Sequence, residues 1–168
     1  NTLVDAKLEW TNHLFDMLMA AMTSKFRSMA EDAALLASHK YGSAYTDEQH
    51  DTTLKDLIHE VRLWNTLMID EQCIKTTCEC LDDFKNVMRS VFVAHTIVLT
   101  SIRTRNDGKE LEIYVPEVNK FIHDVYCFAS DRFSNETSLL QDRGGLKERC
   151  FKHEHCLNVI KNAVCLAV

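Results

Sequence analysis

The chain has 168 residues, 46% of them hydrophobic, and a formal net charge of −6. That length predicts one domain spanning residues 1–168, with a core large enough to need no metal or disulfide staple. Four glycines and one proline argue against all-β folds and glycine-loop nucleotide folds, both of which need glycine at tight turns. The acidic balance argues against nucleic acid, which recruits cationic surfaces.

Leucine, methionine, alanine, glutamate and lysine dominate, and all favour helix. No glycine or proline interrupts residues 3–39. Leu14, Leu18, Met22, Phe26, Met29, Ala33 and Leu36 recur there at steps of three and four, which predicts one long helix or two broken near Thr23-Ser24. Gly42 is placed to stop it. Thr46-Asp47-Glu48-Gln49 reads as a capping box that starts the next helix. Leu54, Leu57, Val61, Trp64 and Met68 continue that helix at three-four spacing. The polar stretch 70–80 reads as a connector.

The most regular pattern follows: Leu81, Phe84, Met88, Val91, His95, Val98 and Ile102 form a heptad-like seam. Val87, Phe92 and Leu99 widen it, which predicts a central, largely buried helix. Asp82-Asp83 stand at its start, where acids match the helix dipole. The longest apolar run, 90–102, is interrupted by His95 and falls short of the roughly 18 residues that span a bilayer. Asn106-Asp107-Gly108 is a strong turn signal. Leu111, Ile113 and Val115 alternate with polar neighbours as a short extended piece, and Pro116 suits the first turn of the next helix. Val118, Phe121, Ile122, Val125, Tyr126, Ala129 and Phe133 keep helical spacing. Residues 134–145 read as a polar loop, and a last helix carries Leu146, Cys150, His153, Leu157, Ile160 and Val164. The fold class expected is all-α, a bundle of five or six helices with at most one short extended segment near 111–115.

Few residues suggest chemistry. Cys150, His153, His155 and Cys156 form the best metal candidate, since Cys150 and His153 share a helical face. Zinc takes four tetrahedral ligands, so His123 and Cys127, or Cys78 and Cys80, would have to complete the set. No CxxC knuckle exists, and the expectation is no metal, no cofactor and folding that survives a chelator. Cysteine nucleophilic catalysis needs a thiolate and a base. No cysteine sits in a glycine-flanked turn, so no enzyme active site is expected. His95 on the central seam is read as a satisfied core histidine ahead of a ligand or a pH switch. Asn135-Glu136-Thr137 fits a glycosylation acceptor, a pattern common by chance.

One stretch resembles a known group. Residues 97–104 read Ile-Val-Leu-Thr-Ser-Ile-Arg-Thr, the Asn106-Asp107-Gly108 turn follows, then Ile113-Tyr114-Val115-Pro116 and the helix segment Phe121-Ile122-His123-Asp124-Val125-Tyr126. This is similar to helical virion proteins of nucleocytoplasmic large DNA viruses, the iridoviruses among them. That group usually carries an Asn-Pro-Tyr-like element after the tyrosine helix, where this chain has Asn135-Glu136-Thr137-Ser138. The resemblance implies a minor capsid protein that links or cements arrays of the double jelly-roll major capsid protein. It implies as partners the major capsid protein, other minor capsid proteins and a second copy in a homodimer. It also implies a location in the virion, and in host cytoplasm during assembly. Pro116, Phe121, Ile122, His123, Val125 and Tyr126 carry the shared motif, and Phe121, Ile122 and Val125 read equally as plain core.

Two alternatives compete. A secreted helical-bundle ligand of cytokine type would use the seven cysteines and the sequon at Asn135. The odd cysteine count and the lack of any cysteine before Cys73 oppose it, and free thiols are the preferred reading. An intracellular helical regulator would dock a partner helix in a groove. No signal peptide is visible, and the chain starts at Asn1 rather than Met, which leaves a removed leader open.

Overall fold

The first apolar stripe folds as one uninterrupted helix, α1, over Thr2–Tyr41. No break falls at Thr23-Ser24, because the buried stripe runs straight through Met22, Thr23 and Phe26. Toward its end Ala37, not Leu36, is buried. A period of 3.6 residues drifts off a strict three-four count, and the smaller side chain takes the inward place. Gly42 ends the helix with φ +86°, a left-handed conformation that favours glycine, and its N–H donates to Ser38 O at 3.0 Å.

The computed structural model describes residues 2–77, 80–103, 110 and 112–168. Among these the elements are α1, α2 (Asp47–Glu60), α3 (Thr66–Thr77), α4 (Leu81–Arg103), α5 (Val118–Asn135) and α6 (Leu146–Ala167), with 3-10 turns at Val61–Leu63 and Thr137–Leu140 and no strand. The fold is an all-α helical bundle. The Asn106-Asp107-Gly108 turn and Leu111 lie outside the described residues.

The capping box forms as the sequence reads. Thr46 Oγ1 accepts from Gln49 N–H at 3.2 Å, and Gln49 Oε1 accepts from Thr46 N–H at 2.9 Å. Replacing Thr46 with alanine is expected to lower stability by about 1 kcal/mol, measured by urea unfolding, with Thr46→Ser near wild type.

Four expectations are corrected. The apolar spacing through Met68 does not make one helix, because α2 ends in a 3-10 turn and Trp64 turns to ψ 129°. Trp64 is thereby buried while Met68 is exposed. The stretch read as a connector is largely helix α3, which Asn65 caps: its Oδ1 accepts from Met68 N–H at 2.9 Å. It escaped notice because it buries Gln72, Thr76 and Thr77 rather than aliphatics. The two threonine hydroxyls donate to Gln72 O and Cys73 O, which makes their burial tolerable. Residues 134–145 also hold more than a polar loop: the second 3-10 turn buries Thr137, Leu139 and Leu140. In addition, α5 starts at Val118 with Glu117 as its cap, so Pro116 precedes the helix instead of sitting in its first turn.

The central helix is α1, not α4. It packs against α2, α3, α4 and α6, and α5 packs on α2, α3 and α6. The core joins Phe26, Tyr126 and Phe133, whose rings meet at 5.6 and 4.7 Å between centroids, with Trp64 5.2 Å from Tyr126. At one end Phe121 meets Phe84 and Phe92. Every apolar position predicted on α5 is buried. On α6 the predicted face is buried at Ile160 and Val164 but not in its first half. Leu146, Cys150 and His153 are exposed, and Cys156, Val159, Ile160, Ala163 and Val164 face inward.

Candidate functional site

The proposed metal ligands do not converge. His153 Nδ1 lies 2.9 Å from Arg27 Nη2. A guanidinium only donates, so that nitrogen is already used as an acceptor. Cys150 is exposed, while Cys156 is buried with its thiol donating to Leu139 O at 3.2 Å. His155 packs its ring on Phe151 at 4.1 Å. His123 Nε2 donates to Val61 O at 2.8 Å, 3.5 Å from Cys127 Sγ, and its ring stacks on Trp64. His123 thus ties α5 to the end of α2, a role that the spacing alone does not reveal. Cys78 lies outside the described residues, and Cys80 is exposed. Among the described residues no three His, Cys, Asp or Glu side chains are grouped to hold an ion.

Three of the six described thiols are poorly placed for nucleophilic work. Burial pushes the Cys73, Cys127 and Cys156 thiols up from their ordinary value, away from the thiolate that reacts. The six described cysteines are free. In the sequon, Asn135 is exposed at the end of α5 and its amide donates to Asp131 O. Thr137 is buried, and its hydroxyl donates to Asp51 Oδ1.

His95 is half-buried, and its Nδ1 is enclosed with no partner among the described residues. The reading of a satisfied core histidine is therefore corrected. Burial first, and Lys7 second, hold its imidazole below the ordinary 6.5. A base with a depressed folded value is stabilising while neutral. The unfolded chain takes up its proton first as pH falls, so the contribution present above 6.5 is lost on further acidification. His95→Gln is expected to lessen the fall in Tm between about pH 7 and about pH 5, measured by thermal circular dichroism. An unchanged pH profile would contradict this.

The α5 part of the resemblance motif is mostly interior, whereas Ile97, Leu99, Ile102, Ile113 and Tyr114 within the motif are exposed. Phe121, Ile122, Val125 and Tyr126 are buried, and burial pushes the Tyr126 hydroxyl up to about 12, with Thr76 acting in the opposite direction. These residues build the bundle and present nothing to a partner.

A surface feature stands where α1 and α4 pair. Trp10, His13 and Met17 of α1 share a cleft with Asp83, Asn86, Val87 and Ser90 of α4, while Lys7 lies near His95, so the two helices run antiparallel. Their pairing outlasts the core. On α1 no described residue before Thr11 is buried, and on α4 the last buried position is Val98. Apolar side chains continue regardless. Leu3, Val4, Leu8 and Trp10 on α1, and Ile97, Leu99 and Ile102 on α4, are exposed. Ile102 extends the seam of Phe84, Val91 and Val98, yet it is 76% exposed. Sequence reasoning found the α4 seam but missed the α1 side. The signal was present, because Leu3 and Trp10 continue the stripe of Leu14 at steps of seven and four, with Val4 and Leu8 beside them.

No described helix is long and apolar enough to cross a membrane. In comparison with known sequences, a family described as a family of unknown function (DUF5764) matches residues 1–141. No curated protein and no solved structure matches the chain.

Proposed function

The chain belongs to the DUF5764 family, and we propose that it is a structural protein of a virus shell, a minor capsid component that links or cements arrays of the major capsid protein. The observation that carries a docking role is the α4 seam that runs on to an exposed Ile102, alongside exposed Leu3, Val4 and Leu8 of α1. Exposed apolar side chains gathered at the ends of two paired helices favour burial against a partner. The remaining chemistry points the same way: buried thiols are raised, candidate ligands are committed to hydrogen bonds, and the net charge of −6 disfavours a genome. The capsid setting rests on the resemblance at 97–104 and 113–126.

In this reading the arm formed by the start of α1 and the end of α4 joins a second copy or a capsomer, and other minor capsid proteins occupy neighbouring positions. No substrate turns over. Quantitative mass spectrometry of purified particles tests the setting. A fixed copy number relative to the major capsid protein supports it. Absence from particles, with the protein found only in cell lysate or medium, sinks it.

A further inference from the structure

We propose that the cleft between α1, α2 and the start of α6 binds a small phosphate ester that carries free hydroxyl groups. The cleft encloses about 510 Å³, a size suited to a small molecule. On a chain of net charge −6 its wall gathers Arg27, Arg143, Arg149 and Lys152 against only Glu31 and Asp142. Local structure holds three of these cations in place. Lys152 Nζ donates to Arg143 O at 2.9 Å and to Gln141 O at 3.4 Å, and pairs with Glu148. Arg149 Nε donates to Gly144 O at 3.2 Å and lies 3.9 Å from Asp142 Oδ1, and Arg143 pairs with Asp47 at 2.7 Å. Arg27 differs: its partner is the His153 imidazole, which leaves its charge without a carboxylate among the described residues.

One buried polar atom in the wall supplies a second, independent observation. His50 is 6% exposed and lines the cleft; its Nε2 lies 3.0 Å from Ala30 O. A carbonyl only accepts, so Nε2 carries the proton and Nδ1 of the neutral ring is an acceptor. That Nδ1 has no partner. The half-buried Tyr45 ring stacks on His50 and lines the same cleft. A second cleft shares Arg27 and Glu31 with the first, and its wall contains Thr23, whose buried hydroxyl also lacks a partner. An unsatisfied buried polar atom destabilises the fold until a partner reaches it. A hydroxyl on the ligand satisfies His50, and its phosphoryl oxygens take Arg27 and Arg149, where charge-assisted hydrogen bonds are strong.

The test is a calorimetric and amide-shift NMR titration of the full chain with ribose 5-phosphate, inorganic phosphate and ribose as probes. Ribose 5-phosphate is expected to saturate and to shift the Ala30, His50 and Arg149 amides, binding about tenfold or more tightly than inorganic phosphate, with no saturation by ribose. Arg27 and Glu31 are both exposed, so their variants retain the fold. Arg27→Met is expected to weaken binding about tenfold or more, and Glu31→Gln to tighten it. Equal binding by Arg27→Met, no saturation with ribose 5-phosphate, or a response only to phosphatidate-containing vesicles would overturn the proposal.

Discussion

Truncating Phe26 to alanine is expected to remove about 3–5 kcal/mol of unfolding free energy, read from urea unfolding with an unchanged m-value. Phe26 sits on the central helix α1 and is fully buried. Its ring meets Phe133 at 4.7 Å and Tyr126 at 5.6 Å, both on α5. Removing it deletes apolar burial and leaves a cavity that packed neighbours on two helices cannot close. The aromatic pairs add about 0.5–1.5 kcal/mol beyond area. The domain's whole stability is of order 5–15 kcal/mol, so one residue controls a large part of it. Leu35→Ala is the matched control on the same helix. Leu35 is 66% exposed, and its loss should change stability by no more than about 0.5 kcal/mol.

Replacing Ile102 with glutamate is expected to do the reverse: leave stability near wild type and abolish association. Ile102 is exposed and contributes little to the monomer's core. In an interface its burial is worth about 1.5–3 kcal/mol, and a charge placed there also pays desolvation. Loss of that burial weakens association about 10- to 100-fold, and more in an isologous dimer, where each change enters twice. Leu8→Glu, on the other helix of the arm and 57% exposed, should act in the same direction. Sedimentation velocity over a range of concentrations reads both variants. Equal assembly by wild type and variants would remove the arm from the interface.

How much of this was legible in the sequence differs by element. The α5 stripe and the Thr46–Gln49 capping box were readable because one local pattern determined each. Helix α3 was not, since its inward face is Gln72, Thr76 and Thr77, and polar side chains hide a helix from hydrophobic periodicity. The centrality of α1 over α4 was also out of reach. Both stripes are regular, and only tertiary packing decides which one is surrounded. For the site, spacing placed Cys150 and His153 on one face, but it could not show that Arg27 of α1 would claim His153. The same limit hid the cleft. His50, Arg27 and Lys152 come from three helices, and no sequence window contains them all.

Co-expression of the chain with a double jelly-roll major capsid protein tests the central claim most directly. Docking through the arm predicts a complex of fixed stoichiometry on size exclusion for the wild-type chain. It predicts that Ile102→Glu frees the chain from that complex while its circular dichroism and Tm stay unchanged. Separate elution of the wild-type chain and the capsid protein at concentrations well above micromolar would contradict the account.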